Sequence, residues 1–343
     1  MSSGSAPTEN TAGAERPRVG YLGPEGTFTE EALLASAEPG AVEPVALGTI
    51  YATIMALVHG EVEWAVVPIE NSLDGSVSVT LDLLAGGDGG LEIVGEALLS
   101  VRHSLIAGED VGLDEIETVL THPQVPGQCE RLLREELGHA NVLPASSTAE
   151  AVRIVAGAGR RGQAALGTML AAEIYGATVI REGVQDRDDN ETRFVWLART
   201  GWRKRMPAGE GAPLRSSIGV VKWKTSLVFW GSGADSPGWL VRCLDEFGRR
   251  GINLTKIESR PKREQMGSYM FFVDMQGHMS DTPVAEAVTG LRGICEEARV
   301  LGSYRVSPRL GRAPARGGRA GSGASTDRHD EQTASLHSGA TDG

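Results

Sequence analysis

Short apolar runs alternate with helical patterns between about residues 18 and 200. Val19–Leu22 and Trp64–Val67 are apolar runs that predict buried strands, and the second run stops at Pro68. Thr27 and Ser147 each precede a Glu at capping-box spacing, which predicts helix starts. This alternation predicts an α/β unit with a mostly parallel sheet, which binds ligands beyond the carboxyl ends of its strands.

A second unit, at about residues 225–306, follows a different order: strand, helix, strand, strand, helix, strand. Leu240, Leu244 and Phe247 share one face of the first helix, and Gly251 ends it. This order predicts a ferredoxin-like α+β sandwich.

Polar segments flank these two units. Residues 1–17 and 307–343 contain little that could be buried, so both are expected to be disordered. Residues 201–224 carry prolines, glycines and charges and are expected to form a linker. The predicted domains are therefore residues 18–200 and 225–306.

Composition excludes several classes of function. The 343 residues carry a formal net charge of -12, which disfavours nucleic acid as a partner. No apolar run has membrane-span length, and the N-terminus lacks the apolar core of a signal peptide. The three cysteines are far apart and lack neighbours at metal-ligand spacing, which predicts reduced thiols, no metal and a cytoplasmic location.

Polar side chains follow one predicted strand at Glu70-Asn71-Ser72, with Gly75 and Ser76 shortly after. Glu70 can exchange a proton, Asn71 offers donors and acceptors, and the amides of Gly75 and Ser76 could face an anion. A turn with a helix cap is the alternative interpretation.

Thr121 and Gln128 bracket a turn that leads from a strand into a helix, so both could face a cleft. His122, between them, could act as a general acid. A His before Pro at a strand end more often caps or packs.

The third polar stretch, residues 188–193, runs directly into the apolar strand that starts at Phe194. Thr192 and Arg193 set a hydroxyl beside a guanidinium, which suits a substrate that carries a hydroxyl and a carboxylate. The alternative is an exposed Arg that begins an edge strand.

Four motifs occur in order: residues 21–28 (YLGPEGTF), 68–72 (PIENS), 122–124 (HPQ) with Gln128-Cys129, and 192–194 (TRF). This series resembles that of prephenate dehydratases, and the resemblance extends from about Arg18 to Tyr304. It implies a two-lobed catalytic domain like type-2 periplasmic binding proteins, with one lobe from residues 18–100 and 178–200 and the other from 101–177. The implied reaction converts prephenate into phenylpyruvate without a metal or organic cofactor.

The resemblance also implies residue roles. Thr192 would hydrogen-bond the leaving hydroxyl, and the other positions would hold the substrate. The implied catalytic residues are Thr192, Glu70, Asn71, Thr121 and Gln128. The implied substrate contacts are Ser72, Arg193, Gly75, Ser76 and Phe194.

The second unit resembles an ACT domain, a regulatory fold that binds amino acids. Residues 258–261 (ESRP) match one effector motif, and Trp239 replaces a small residue in the other. The bulk of Trp239 would fill or reshape the effector pocket, unless it packs simply at the surface. The implied effector contacts are Gly238, Trp239, Leu240, Asn253, Glu258, Ser259, Arg260 and Pro261.

In this family the effector site forms between the ACT domains of two chains, so the resemblance implies a homodimer or homotetramer controlled by phenylalanine. Only seventeen residues precede Arg18, too few for a chorismate mutase domain. Two alternatives stay open: an arogenate dehydratase, and a non-catalytic amino-acid sensor that binds without turnover.

Overall fold

The computed structural model describes seven segments of the chain. These are residues 16–87, 90–157, 161–204, 211–215, 222–231, 236–262 and 267–310.

In chain order the strands are β1 (Arg18–Leu22), β2 (Glu43–Leu47), β3 (Trp64–Asn71), β4 (Gly75–Ser76), β5 (Leu91–Ser100), β6 (Ser104–Ala107), β7 (Thr118–Thr121), β8 (Asn141–Pro144), β9 (Gln163–Gly167), β10 (Thr178–Arg181), β11 (Glu191–Arg199), β12 (Trp223–Trp230), β13 (Leu254–Pro261), β14 (Tyr269–Gln276), β15 (Glu297–Arg305) and β16 (Arg309–Leu310). The α-helices are α1 (Phe28–Ser36), α2 (Ile50–His59), α3 (Ser78–Gly86), α4 (Thr148–Val155), α5 (Met169–Tyr175), α6 (Trp239–Gly248) and α7 (Thr282–Arg292).

The strands form three sheets. The large lobe has the order β16-β5-β11-β3-β1-β2, with β4 paired to β3, and the small lobe has the order β10-β6-β9-β7-β8. Both sheets are mixed, because β11 is antiparallel to β3 and β5 and β6 is antiparallel to β9 and β10. The prediction of mostly parallel sheets is therefore wrong, whereas the two-lobed α/β fold is confirmed.

Both predicted capping signals mark real helix starts. The Thr27 hydroxyl accepts from the Glu30 amide before α1, and the Ser147 hydroxyl accepts from the Glu150 amide before α4. Side-chain caps of this kind satisfy amides that have no partner within the helix. They fix where α1 and α4 begin.

The chain crosses between the lobes twice, at residues 101–103 and 182–190. β10 belongs to the small lobe, since Thr178 pairs with Ala107 and Val179 with Ile106. The return to the large lobe therefore follows Arg181, and the predicted return near Thr178 is wrong. The two crossings are tied together, because the Val184 amide donates to the His103 carbonyl oxygen at 2.9 Å.

The C-terminal domain, made of β12–β15 with α6 and α7, is an antiparallel sheet of order β13-β14-β12-β15. This confirms the ferredoxin-like fold. Leu227 and Phe229 pack beneath α6 and α7, whereas Val228, on the other face of β12, packs against the large lobe. Both faces of this sheet are therefore covered, and the domain is docked on the large lobe.

Parts of the predicted linker and tail pack against the large lobe. Trp202 is buried edge-on against Trp64, with their ring centroids 4.9 Å apart. Leu214 forms an isolated antiparallel β-bridge with Ala37. Arg309 and Leu310 form β16 alongside β5. Residues 201–204, 211–215 and 307–310 are thus ordered, contrary to the prediction, because their apolar side chains and backbone groups find partners. Of the predicted linker and disordered ends, residues 1–15, 205–210, 216–221 and 311–343 lie outside the described residues.

Within the described segments, no helix is both long and apolar enough to cross a bilayer. The same segments contain no cluster of His, Cys, Asp and Glu that could hold a metal ion.

Candidate active site

Two adjacent residue pairs of the large-lobe sheet divide the predicted site residues between two surfaces. Thr192 on β11 lies opposite Asn71 on β3, and Arg193 lies opposite Glu70. Successive side chains of a strand point to opposite faces. Asn71 and Thr192 therefore face the cleft between the lobes, whereas Glu70 and Arg193 face the C-terminal domain.

Five polar side chains form a continuous hydrogen-bonded chain at the cleft, here called the cleft network: Asn71, His103, Gln128, Asn190 and Thr192. The Asn71 amide donates to Thr192 Oγ1 at 2.8 Å and to Asn190 Oδ1 at 2.9 Å. Asn190 Nδ2 donates to Gln128 Oε1 at 3.0 Å, and the same oxygen lies 3.0 Å from His103 Nε2. The network joins the large lobe, both crossings and the small-lobe turn at Gln128.

Backbone amides fix the polarity of this network. The amides of Leu73 and Asp74 donate to Asn71 Oδ1 at 2.8 and 2.9 Å, so the other end of the Asn71 side chain must be its NH₂ group. Thr192 Oγ1 therefore accepts from Asn71, and its own hydrogen remains to be donated. No described residue accepts that hydrogen, so it is available to a bound ligand.

The hydrogen-bond directions in this network also fix the tautomer of His103. Asn190 accepts from Asn71 and so donates to Gln128, which makes Gln128 Oε1 an acceptor. His103 must then carry its hydrogen on Nε2, and Nδ1 presents a lone pair. Nδ1 is buried and has no hydrogen-bond partner among the described residues. Burial lowers the pKa of His103 and so favours the neutral ring, although the Gln128 hydrogen bond opposes this effect.

The loop of residues 23–27 brings the lobes together beside the network. Thr168 at the start of α5 donates to the Gly26 carbonyl oxygen at 2.6 Å, and Tyr175 donates to that of Glu25 at 2.9 Å. A Cβ on Gly26 would lie 2.7 Å from Ala171 Cα, and its φ of +85 also favours glycine. Phe28, next along the chain, meets the His103 ring edge-on at 5.4 Å.

Several predicted site residues support the cleft without facing it. Ser72 accepts from the Glu191 amide at 2.9 Å and so holds the segment that leads to Thr192. Thr121 is 1% exposed and donates to the Leu166 carbonyl oxygen at 3.0 Å. Phe194 is buried in the large-lobe core. Packing and sheet contacts thus occupy the side chains of Thr121 and Phe194, and their contact with the substrate stays a prediction.

The β3–β4 hairpin is also directed elsewhere. Gly75 occupies the turn with a φ of 81. The Ser76 hydroxyl contacts Lys256 and Glu258 of the C-terminal domain. These contacts turn Ser76 towards the C-terminal domain, and its contact with the substrate stays a prediction. In the motif at residues 121–128, the alternative interpretation is that His122 caps a turn. Its Nδ1 accepts from the Gln124 amide at 3.4 Å, which supports that interpretation.

Arg193 is 9% exposed and lies among partners from two domains. Its guanidinium donates to Glu96 at 2.8 Å, Asp274 at 2.6 Å and the Tyr304 hydroxyl at 2.7 Å. Glu70 also faces this side, 3.6 Å from Arg193 and 3.2 Å from Lys256. Strand alternation therefore turns Arg193 and Glu70 towards the C-terminal domain, and their contact with the substrate stays a prediction.

Ionic contacts keep this buried cluster charged. Burial by itself would lower the pKa of Arg193, but Tyr304 and the Asp274 and Glu96 carboxylates raise it well above its usual value. Burial by itself would raise the pKa of Asp274, but Arg193 and the Ser226 hydroxyl hold it below its usual value. The carboxylate and the guanidinium thus stabilise each other's charged forms.

The predicted effector residues fall into two groups. Trp239 is buried in the C-terminal core, where its ring centroid lies 5.9 Å from that of Phe271 and 6.1 Å from that of Phe229. Gly238 precedes α6 with a φ of 79, and half-buried Leu240 packs on the same core. Trp239 therefore fills the domain interior, which overturns the expectation of surface packing.

The other group lies on or next to β13. Arg260 donates to Asp82 and Ser78 of the large lobe, both at 2.8 Å, and Glu258 contacts Ser76. Ser259 and Pro261 pair with β14, and the Asn253 carbonyl oxygen accepts from the Gln276 amide. The charged members of the predicted effector motif thus contact the catalytic domain of their own chain.

Asn190 and His103 are the site residues that sequence reasoning missed. Asn190 lies in the polar stretch that precedes Thr192, but nothing in that stretch distinguishes it from its polar neighbours. His103 has no motif around it, since Val101-Arg102-His103-Ser104 is an ordinary strand connection. Only the convergence of the two crossings places both side chains beside Gln128.

Comparisons with known proteins agree with this geometry. The family model for prephenate dehydratase matches residues 19–201, and the model for the ACT domain matches residues 232–293. A prephenate dehydratase of Mycobacterium sp. (strain JLS) is 40% identical over 308 residues, which cover 87% of this chain and 92% of the relative.

Two solved structures share the fold. Prephenate dehydratase from Arthrobacter aurescens, in complex with L-Phe, is 36% identical with a TM-score of 0.71, and the match covers 84% of this chain and 89% of that one. GqqA, a quorum-quenching acylase, is 30% identical with a TM-score of 0.72, and the match covers 85% and 98%.

Proposed function

The chain belongs to the prephenate dehydratase family, and from that premise we propose that it is a hydro-lyase that converts prephenate into phenylpyruvate. The reaction releases carbon dioxide and water and serves L-phenylalanine biosynthesis, under the control of phenylalanine. The observation that carries this proposal is the Thr192 hydroxyl, which accepts from Asn71 and retains a hydrogen to donate into the cleft.

The reaction needs a donor at the leaving oxygen. The bond between the ring carbon and the departing carboxylate breaks, its electron pair enters the ring, and the hydroxyl leaves from the opposite ring position. Thr192 hydrogen-bonds that oxygen as negative charge develops on it. Solvent supplies the net proton, because a threonine alkoxide would not persist at neutral pH. Formation of the aromatic ring provides the driving force.

Gln128 supplies a second donor. Its oxygen is occupied by Asn190 and His103, whereas its NH₂ group contacts no acceptor among the described residues. We assign that NH₂ group to a substrate oxygen. Asn190 and His103 then hold the amide in one orientation, so that it does not need to reorganise when the substrate binds.

A cytoplasmic homodimer or homotetramer is part of the same proposal. The exposed large hydrophobic side chains of the C-terminal domain include Val241 on α6 at 69% exposure and Ile257 on β13 at 49%. Their exposure in the single chain supports such an assembly, because a second chain would remove this apolar surface from water. Light scattering after size exclusion gives its mass, and a monomer at all concentrations would contradict it.

One assay tests the activity. Purified protein is incubated with prephenate, and phenylpyruvate is followed by its absorbance in alkali. Steady turnover is expected, and binding without turnover would instead indicate a sensor. The assay is needed because GqqA shows that nearly the same fold carries another chemistry.

Parallel reactions define specificity and control. Arogenate in place of prephenate separates the two dehydratase activities by their rates. Added phenylalanine is expected to lower the rate cooperatively, since the chain carries an ACT domain. If millimolar phenylalanine changes neither the rate nor the melting temperature, this chain lacks that control.

A further inference from the structure

Arg193 neighbours Thr192 on β11 but contacts the C-terminal domain. We propose that Arg193 is a positioning residue, through which Asp274 and Tyr304 of the C-terminal domain set the placement of the Thr192 hydroxyl. This inference rests on the proposed function, because it concerns how the same site is regulated.

The contacts of Arg193 use all of its side-chain nitrogens. Nε donates to Glu96 of β5, NH1 to Asp274 of β14, and NH2 to the Tyr304 hydroxyl of β15. A planar guanidinium held by three partners in three directions has little rotational freedom. The side chain therefore links the large-lobe sheet to two strands of the C-terminal domain.

The hydrogen bonds among the polar groups behind Arg193 have a fixed donor and acceptor order. The Ser226 hydroxyl donates to Asp274 Oδ1, so the Tyr304 hydroxyl donates to Ser226 Oγ at 2.6 Å. Tyr304 is then left as an acceptor for Arg193. Each member depends on the next, so removal of one group affects the whole cluster.

Charge is also balanced within the cluster. Arg193 and Lys224 face Glu96 and Asp274, with Lys224 Nζ 2.8 Å from Glu96 Oε2. Neutralising Asp274 leaves one positive charge uncompensated in a buried site. Such a site relaxes either by moving Arg193 or by admitting water.

The C-terminal domain contacts both residues of the Glu70–Arg193 pair. Lys256 of β13 lies 3.2 Å from Glu70, and Asp274 of β14 binds Arg193. Lys256 also lies 3.3 Å from Glu258, which belongs to the predicted effector motif. A shift of β13 against β14 therefore acts directly on this pair.

Arg193 directly follows Thr192, the proposed catalytic residue, on β11. Consecutive Cα atoms are about 3.8 Å apart, and the next pair along is Asn71 with Thr192. The β3–β11 register also shifts between Arg193 and Phe194, an irregularity that locally bends a strand. Movement of Arg193 thus changes the strand where Thr192 is held.

Asp274→Asn tests the proposal. It keeps the shape of a side chain outside the cleft and removes the charge that Arg193 binds. We expect kcat for prephenate to fall about tenfold, with KM changed by less than about twofold, and inhibition by phenylalanine to weaken. Hydrogen exchange should become faster in peptides that cover residues 190–195.

Asp245→Asn is the matched control. Asp245 is an exposed carboxylate on α6 of the same domain, and its variant should match the wild type in every measurement. Tyr304→Phe, which removes one hydroxyl and no charge, provides a milder second test if Asp274→Asn does not fold.

The outcomes are decisive in both directions. Wild-type kcat, phenylalanine response and exchange in both Asp274→Asn and Tyr304→Phe would overturn the proposal. If the wild-type protein itself does not turn over prephenate, the proposed function fails, and exchange at residues 190–195 alone then decides whether Arg193 positions Thr192.

Discussion

Asn71 donates its amide hydrogen to the Thr192 hydroxyl oxygen at 2.8 Å, across two neighbouring strands. The contact sets the direction of the hydroxyl, because the other end of the Asn71 side chain is fixed by two backbone amides. A threonine that accepts from the protein retains its hydrogen for the substrate.

Removal of the Thr192 hydroxyl should be the most damaging change in the cleft. We expect Thr192→Ala to lower kcat for prephenate about a hundredfold, the usual scale for one positioned donor. Thr192→Ser keeps the hydroxyl and should retain most of the rate. Near-normal turnover by Thr192→Ala would remove this residue from the mechanism.

Replacing the donor at position 190 by an acceptor should reverse the hydrogen bonds from there to Gln128 and His103. In Asn190→Asp the carboxylate still accepts from Asn71 but no longer donates to Gln128. Gln128 must then turn its NH₂ group towards position 190, which forces His103 to accept at Nε2 and to carry its hydrogen on Nδ1. We expect kcat/KM to fall roughly tenfold, about the effect of one lost hydrogen bond.

The ¹⁵N chemical shifts of labelled histidine report this tautomer directly. His103 should change from the Nε2–H to the Nδ1–H form in Asn190→Asp. Asn141→Asp, at an exposed position of β8, is the control and should change neither the tautomer nor the rate. An unchanged His103 tautomer in Asn190→Asp would contradict the assigned polarity.

His103 should make stability depend on pH. Burial lowers its pKa in the folded protein below the ordinary value of 6.5. The unfolded chain therefore binds a proton first as the pH falls, and the free energy of unfolding decreases below about pH 6.5. Urea unfolding at pH 7.5 and pH 5.5 should show a smaller decrease for His103→Gln than for the wild type. His139→Gln, at an exposed site, should keep the wild-type dependence.

The fold could be predicted from the sequence where burial imposes a pattern. Trp64–Val67 is apolar throughout because β3 is covered on both faces, and Thr27 and Ser147 mark helix starts through local caps. The partner of β10 could not be predicted, because the four residues of Thr178–Arg181 fit either sheet equally well. Pairing with Ala107 depends on the small lobe as a whole.

The site could be predicted only in part, for a related reason. The sequence predicts that Thr192, Asn71 and Gln128 share one site, and the structure joins their side chains in the cleft network. Neighbours in a strand point to opposite faces, so Thr192 and Arg193 lie on different faces of β11. Which of the two faces the cleft depends on how the C-terminal domain docks, and the motif itself contains no information about that.

Trp239 should matter first for stability. Its ring packs with Phe229 and Phe271 in the C-terminal core. We expect Trp239→Ala to lower the free energy of unfolding by about 3–5 kcal/mol, the usual cost of removing a large buried aromatic side chain. Asp245→Ala, on the exposed side of α6, should change it by less than about 0.5 kcal/mol. Loss of phenylalanine response without loss of stability would instead place Trp239 in the effector pocket.

The C-terminal end of the chain should divide sharply into a dispensable part and a structural part. Arg309 and Leu310 pair with Leu98 and Leu99 of β5, and the Ser307 amide donates to Glu96 at 3.2 Å. A variant that lacks residues 312–343 keeps all these contacts, so we expect wild-type kcat and melting temperature. A variant that lacks residues 307–343 loses these contacts. They include the Ser307 amide that donates to Glu96, the carboxylate bound by Arg193. Its melting temperature should fall by about 2–6 °C, because two or three hydrogen bonds contribute about 1 kcal/mol each. Equal melting temperatures for the two variants would show that β16 adds nothing to the large lobe.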